Sequence, residues 1–597
     1  MRGLSPSRHS PWAVLVIAAA SLAVYANSFA NPFVFDDAPS LLSNASLNSV
    51  WHSLIPLPGG LTTSGRPLLN FSFALNHALC GQTPWSYHAA NVLIHLAAAL
   101  TLLGLLRRTP GITEPIAFGA ALLWAVHPLQ TESVTYIVQR AESLAGLFYL
   151  LTLYAFVRAR ATPATPFRWQ AMSVAACALG MTSKEILVTA PVMVLLYDRT
   201  FLSGSVRSAF RARAGYYAAL FTTWGIQAWL AVLTGSRGGT AGFCAGVGWW
   251  EYGQTQFRAV GRYLGLTVWP HPLVIDYGTQ WETRPGPVIA YAFLVGALLV
   301  ATGYALSREP SSRARAIGFA GAWFFLLLLP TSLIPGTRQT MAEHRLYLPL
   351  AAVTVLISAA LFTWLGRRAQ FVLLAAVISL ALLTVERNRT YASEVALWTD
   401  TVAHVPGNAW AWNNLGVTQD ETGHPAQARE SYLRALAITP TLSTAANNLG
   451  DQAKGKGDLP SAVAYYRRAI AAQPRYFNPR YSLANVLLAQ DRPADAAAQF
   501  KTCLDLDPRF PGAELGLGDA LAAEGLYPAA EVHLRRALAL APRLAAADHD
   551  LGRVLLAQGR VTDAIAAFHE AIRINPLDRE AIAALDRAEH PRPTGSP

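Results

Sequence analysis

Apolar positions along this chain follow two rhythms. Up to about residue 387 they come in long unbroken runs, and beyond it they recur as helical stripes in short segments. Runs long enough to span a bilayer lie near 12–28, 89–106, 115–130, 142–160, 215–234, 288–306, 316–335, 347–366 and 370–386. Two shorter runs, 169–183 and 184–197, meet at Lys184-Glu185, and a single straight helix there would place both charges in hydrocarbon. They are read as two spans, which makes about eleven.

The second rhythm is a fixed period. Prolines stand at 406, 440, 474, 508, 542 and 576, always 34 residues apart. Leu415, Leu449, Leu483, Leu517 and Leu551 repeat in phase, as do Gly416, Gly450, Gly518 and Gly552, with Ala484 in the third repeat. Ala428, Ala462, Ala496, Ala530 and Ala564 form another column, and Tyr432, Tyr466, Phe500, Leu534 and Phe568 a further one. This is the tetratricopeptide period. Small residues fall where two helices cross, a large one fills the hole beside them, and proline ends the second helix. Each helix pair leaves an apolar face that only its neighbour covers, so the pairs must stack. The pattern therefore predicts an all-α chain: a polytopic membrane bundle followed by an α-solenoid. The predicted domains are 1–387 for the membrane part, 388–408 for a linker and leading half-repeat, 409–590 for five repeats to 576 plus a terminal cap helix, and 591–597 for a disordered tail.

Composition sharpens this picture. Hydrophobic residues make up 53% of the 597 and charged residues only 14%, with mean hydropathy +0.28. Soluble domains carry about 25% charge, so a string of soluble domains is excluded. Residues 1–387 carry 26 Lys+Arg against 13 Asp+Glu, whereas 388–597 carry 21 against 23. The basic excess belongs to the apolar part, so it reads as topology and not as nucleic-acid binding. One set of loops holds Arg2, Arg8, Arg107, Arg108, Arg158, Arg160, Arg168, Arg199, Arg207, Arg211, Arg213, Arg308, Arg313, Arg315, Arg367 and Arg368. Those loops are expected in the cytoplasm, together with the amino terminus, and the repeats outside. The alternation requires 251–275 to return to its own side as an interfacial or re-entrant helix. The first run reads as a retained span, since no small-residue cleavage site follows it. Arg- and Ala-rich usage points to a bacterial inner membrane. Four scattered cysteines make no zinc or disulfide framework, although Cys80 and Cys244 are both placed outside, where pairing and two free thiols are equally open.

The external loops hold the chemistry. The first, about 29–88, contains Asp36 and Asp37 in FVFDD. Adjacent carboxylates can act as a general base or ligate Mg²⁺ or Mn²⁺, and they can also be a solvated turn. The second loop brings His127, Glu132, Arg140 and Glu142; the third turn brings Lys184 and Glu185; the last brings Arg338, Glu343, His344 and Arg345. Charges at the ends of apolar helices must be paired or functional. Together they suggest a site for an anionic lipid headgroup with a proton-accepting base, or else ion pairs that hold loops together, such as Glu132 with Arg140. In the repeats, Asn413, Asn414, Asn447 and Asn448 lie on first helices, where they can hydrogen-bond a peptide backbone or satisfy contacts between helices.

The order FVFDD, RPLLNFSFALNHALCG…YHAANVLIH, AVHPLQTESV…QRAE, SKE, HRLYLP and then 34-residue repeats resembles the transmembrane and tetratricopeptide-repeat O-mannosyltransferases and their bacterial relatives. These are similar to the protein O-mannosyltransferases, which have the C-type glycosyltransferase (GT-C) fold. The resemblance covers nearly the whole chain. It implies a sugar, mannose or another hexose, taken from a polyprenyl phosphate and passed to a Ser or Thr hydroxyl of a protein carried by the repeats. Asp36 is then the base and Asp37 orients it or the acceptor. Arg345 and Arg140, with Lys184 and Arg338 behind them, stabilise the leaving phosphate. His127, Glu132, Glu142, Glu185 and His344 hold these cations in place. No metal is demanded by a monophosphate leaving group held by arginines. Two other functions stand beside this one: a membrane-anchored repeat scaffold without catalysis, and a lipid-linked glycan polymerase or ligase. A transporter is disfavoured, because no inverted hydropathy repeat with matching broken helices is seen.

Overall fold

The computed structural model describes residues 11–56, 61–162, 164–235, 248–279, 281, 284–309, 312–335 and 339–590, and its regular elements there are all helical. The chain forms two compact units, 1–408 and 409–597.

In the first unit, each of the eleven apolar runs coincides with helix. Among the described residues, six helical runs are long and apolar enough to cross a membrane: Pro11–Ala30, Pro84–Leu106, Ile137–Ala161, Pro285–Ser307, Arg313–Leu333 and Pro349–Ala392. The last covers 44 residues and contains two helices, Pro349–Leu365 and Ala369–Arg389, parted at Gly366, whose φ of 53° suits a residue without a Cβ. The remaining runs give shorter helices, Glu114–Val126, Pro166–Met181 and Ala190–Phe201, and a pair, Val206–Thr222 and Trp224–Leu233, that divides at Thr223. At about 1.5 Å per residue these reach only part-way across hydrocarbon. The chain is thus an integral membrane protein by its long apolar helices, and the expected count of eleven exceeds those that meet the length criterion.

Some polar side chains inside this bundle are tied to one another or to backbone carbonyls, which spares them contact with hydrocarbon. Asn388, near the end of the last apolar helix, donates to Val24 O (2.8 Å) and Asn27 Oδ1 (2.9 Å), and accepts from Thr135 Oγ1 (2.7 Å). The ends of the first and last long helices and the 131–139 loop therefore meet at one point. His95 bridges Tyr347 OH and Ala125 O at 3.0 Å each, and Trp124 Nε1 donates to Tyr347 O (2.8 Å). Within 251–275 lies the amphipathic helix Trp249–Val268. It exposes Trp249, Trp250 and Val268, and buries Tyr252, Gln256 and Tyr263, which bond to Thr331 O, Thr340 O and Ala342.

The second unit has five helix pairs from Ala409–Glu421 to Val561–Ile574, followed by Arg579–Glu589. Its columns pack as their sizes require. A Cβ on Gly416, Gly450 or Gly552 would stand 2.5, 2.5 or 2.6 Å from the ring of Tyr432, Tyr466 or Phe568, closer than carbon atoms approach. In the third pair Ala484 takes the glycine position, and the Phe500 ring lies against Gly516 of the next pair instead. The helix Glu394–His404 precedes this unit and belongs to the first.

Candidate functional site

Two short turns dominate the site, and each is fixed by groups distant in sequence. The first is FVFDD, directly after the Pro11–Ala30 run. Phe35 has φ of +49°, a left-handed conformation that costs a bulky residue roughly 1–3 kcal/mol. Several bonds hold it there. Asp37 is fully buried; its Oδ2 accepts from Val34 N (3.0 Å) and its Oδ1 from Val138 N (2.8 Å). Phe35 N donates to Glu394 Oε1 (2.6 Å), and Asp36 N donates to Tyr136 OH (3.0 Å). Asp36 itself is half-buried. Burial pushes the Asp37 carboxyl up to about 8 despite its two amide donors, with Asp36 and Glu394 adding to the effect. Each Asp37 oxygen thus accepts one backbone amide hydrogen.

The second turn is Glu343–Leu346, which begins a 3₁₀ turn before the Pro349–Leu365 helix. His344 donates its backbone N–H to Glu132 Oε2 (2.8 Å), and its Nδ1 lies 2.6 Å from Glu132 Oε1. Burial, then Lys184, lowers the imidazole well below its ordinary range, so the ring is neutral. Its Nε2 is 4.0 Å from Glu142 Oε1, and that same oxygen is 2.7 Å from Lys184 Nζ. Glu132, His344, Glu142 and Lys184 thus form one buried line of alternating groups. Burial raises Glu132 to about 7 and lowers Lys184. Arg345 sends Nη1 to Thr340 O (3.3 Å) and Nη2 to Gln339 O (3.2 Å) beside Tyr252 and Tyr263. Among the described residues no carboxylate comes within ion-pair distance of it, and it still acts electrostatically on Glu132 and His344.

The structure gathers the expected residues unevenly. Glu132, Glu142, Lys184, His344 and Arg345 share one cluster, and Glu185 joins through Arg66, whose Nη2 contacts its two oxygens at 2.9 and 3.2 Å. Tyr136 touches the aspartate doublet through Asp36 N, and its hydroxyl also feels the charge of Glu132 in the cluster. Glu132 pairs with His344, not with Arg140. Arg140 is 1% exposed; Nε donates to Asn91 Oδ1 (2.6 Å), Nη1 to Ser72 O (3.1 Å) and Nη2 to Tyr87 O (3.1 Å), and the guanidinium lies 4.5 Å from the Phe73 ring centre. It fastens three helices, with its donors turned to protein acceptors. His127 is also apart: Nδ1 accepts from Leu129 N (3.2 Å), and burial lowers it to about 4. Arg338 and Cys244 lie outside the described residues; Cys80 carries a free thiol. The four asparagines bond among themselves: Asn448 Nδ2 donates to Asn413 Oδ1 (3.2 Å), Asn413 Nδ2 to Asn414 Oδ1 (3.2 Å), and Asn447 Nδ2 to Asp451 Oδ2 (2.8 Å). Of these three bonds, Asn448–Asn413 joins two helices and the other two lie within one helix; Asn447 Oδ1 is buried without a partner.

Sequence reasoning missed Arg66, Tyr136 and a second buried group. In that group Glu343 Oε1 accepts from Val274 N (2.5 Å) and Tyr277 OH (2.7 Å), and Arg387 lies 3.9 Å from Glu343 and 2.9 Å from Asp400. Arg66 left a signal, being the sole Lys or Arg between residues 29 and 88. Tyr136 left none.

Comparison with known proteins agrees with this division. A family model described as dolichyl-phosphate-mannose-protein mannosyltransferase matches residues 64–231, which include Arg66, Glu132, Glu142 and Lys184 but neither FVFDD nor HRLYLP. Tetratricopeptide models match 411–442 and, in overlapping blocks, 447–593. Human protein O-mannosyl-transferase TMTC2 is 34% identical over 200 residues, which is 31% of this chain and 24% of that protein. A protein O-mannosyl-transferase of Caenorhabditis elegans is 26% identical over 459 residues, covering 72% of this chain and 63% of its own length. Mouse TMTC4 is 26% identical over 497 residues, 70% of this chain and 66% of that protein. The chain is similar to protein O-mannosyl-transferases. Its match spans about a quarter of the human and mouse TMTC2 proteins. Among solved structures, YrrB, a tetratricopeptide protein with an unusual peptide-binding site, is 21% identical with a TM-score of 0.30, covering 31% of this chain and 96% of that one.

Proposed function

We propose that the first unit is a glycosyltransferase that moves a sugar, mannose in the first instance, from a polyprenyl phosphate to a Ser or Thr hydroxyl of a protein on the external face of the membrane. The observation that carries this reading is the convergence of carboxylates and cations from four loops, beside an over-determined aspartate turn, in a chain related to protein O-mannosyl-transferases. A passive anchor has no use for a buried line of four ionisable groups, each of which is costly to desolvate.

Asp36 takes the proton of the acceptor hydroxyl. The oxygen attacks the anomeric carbon, the carbon–phosphate oxygen bond breaks, and the phosphate leaves with the electron pair, inverting the anomeric configuration. Asp37 acts as a positioning residue through the amides of Val34 and Val138. Arg345 faces the leaving phosphate, since its guanidinium rests on carbonyls and rings and not on a carboxylate. Lys184 supports it from within its pair with Glu142, and Arg66 holds the neighbouring Glu185. Arg140 acts in this scheme by fixing the start of the Arg140–Ala161 helix. The repeats recruit the acceptor, with Asn413, Asn414, Asn447 and Asn448 along its path. A bacterial inner membrane with the repeats in the periplasm suits the charge pattern of the loops.

The test is transfer by purified protein in lipid nanodiscs, given radiolabelled polyprenyl-phosphate mannose and Ser/Thr peptides. Label is expected on peptide, and Asp36→Asn is expected to lower it by about 10²–10⁴-fold at unchanged abundance. Label on a glycan acceptor alone would favour the ligase reading. Full turnover by Asp36→Asn would remove the base assignment.

A further inference from the structure

The FVFDD turn is held from an unexpected direction. Phe35 N donates to Glu394 Oε1 at 2.6 Å, and the Phe35 ring meets Trp398 edge-to-face with centroids 5.0 Å apart and planes at 88°. Both partners belong to the Glu394–His404 helix, which follows the last membrane helix and leads toward the repeats. That helix is a rigid base. Ser393 caps it, accepting from Ala396 N (3.1 Å); Leu397, Trp398 and Thr401 are buried, Trp398 at 1% exposure; and Asp400 pairs with Arg387 at 2.9 Å.

The contacts fall on the residue whose backbone most needs them. Phe35 is one of two non-glycine residues with positive φ among those described, and the peptide that follows it carries Asp36. A left-handed phenylalanine does not persist unaided; the surroundings must over-determine it. On the far side, Tyr136 OH accepts from Asp36 N and the Asp37 carboxylate grips Val34 and Val138. Glu394 and Trp398 supply the near side. Without them the turn relaxes toward ordinary φ, and the Asp36 side chain swings with the peptide plane.

We propose that Glu394 and Trp398 are positioning residues for Asp36: the segment between the last membrane helix and the repeats sets the aim of the base by locking Phe35 in the left-handed conformation. The inference rests on the reading of Asp36 as the base. It assigns a role in turnover to a segment that otherwise reads as a linker.

The experiment compares Glu394→Ala, Glu394→Gln and Phe35→Ala in the full chain in nanodiscs, measuring kcat, KM for polyprenyl-phosphate mannose and the folded fraction. Glutamine keeps an oxygen for Phe35 N–H, so Glu394→Gln is expected to hold kcat within about threefold, whereas Glu394→Ala lowers it about 10- to 100-fold at unchanged donor KM, the scale of a small misplacement of a reacting group. Phe35→Ala, which keeps the cost of a positive φ but removes the ring that meets Trp398 and leaves Glu394 in place, is expected to lower kcat by a similar factor; it keeps the test decisive if Glu394→Ala fails to fold. A wild-type kcat per folded molecule in Glu394→Ala or Phe35→Ala overturns the positioning role and leaves the transferase reading standing. Absence of turnover in the wild-type protein with every donor overturns both.

Discussion

The repeat unit and the loop cluster of the membrane unit solve the problem of packing in opposite ways. In the repeats one contact is used again and again: glycine against a ring at Gly416–Tyr432, at Gly450–Tyr466 and at Gly552–Phe568. In the loop cluster no contact occurs twice. Glu132 has His344, Glu142 has Lys184, Glu185 has Arg66, and Asp37 has two amides. Repetition makes each contact local, whereas the cluster joins loops far apart in sequence, so each of its bonds bears on several others.

The difference predicts unequal damage. Lys184→Ala leaves Glu142 buried without its cation and should cost about 3–5 kcal/mol, read as thermal unfolding of the purified membrane protein. Adding Glu142→Leu should recover most of that loss, and a single-variant loss under about 1 kcal/mol would place the cluster on a par with ordinary surface pairs. In the repeats, Gly450→Ala drives a Cβ into the Tyr466 ring and should cost about 1–3 kcal/mol, confined to the melting of the repeat unit. Loss of peptide transfer in parallel would end the view that repeat contacts act locally.

Titration sharpens the contrast further. Burial puts Glu132 at about 7 against its ordinary 4.5. Between those values the folded chain retains a proton that the unfolded chain has released, so the contribution of Glu132 to stability declines as pH rises from about 4.5 to 7. The ionised carboxylate, which accepts the His344 backbone N–H, dominates above 7. Transfer is therefore expected to climb with pH through about 7, up to tenfold per unit, while stability falls over the window below it. Glu132→Gln should flatten the inflection, and an inflection that survives must belong to another group. The smallest effect belongs to the exposed pair Arg434–Glu430 on one repeat helix, where Arg434→Ala should cost no more than about 1 kcal/mol in urea unfolding.

Legibility in the sequence follows the same division. Fixed columns expose the solenoid because every repeat restates one packing rule. Long apolar runs expose the membrane helices for a related reason, since the bilayer asks the same of each. The pair that divides at Thr223 was hidden in one run, 215–234, and Arg213, where the first of the two helices kinks, bonds to buried Asp198, a contact that no local pattern announces. The site was half visible. Charges at helix ends signalled that something is held there, but the partners of Glu185 and Glu132 lie 119 and 212 residues away. Pattern reading therefore placed Arg140 in the site and passed over Tyr136, because spacing along a chain carries no record of which side chain turns inward.

The Pro285–Ser307 helix buries Val295 alone. Its 23 residues reach about 35 Å, somewhat more than the hydrocarbon depth of a typical bilayer. The chain just before it carries Val274 and Tyr277, the partners of Glu343. The helix packs closely on its neighbour all the same: a Cβ on Gly318 would stand 2.7 Å from Leu306 N, and one on Gly321 closer still to Thr302 Oγ1. The small residues of the Arg313–Leu333 helix thus set how near its neighbour lies, so a larger side chain at Gly318 or Gly321 would part the two helices.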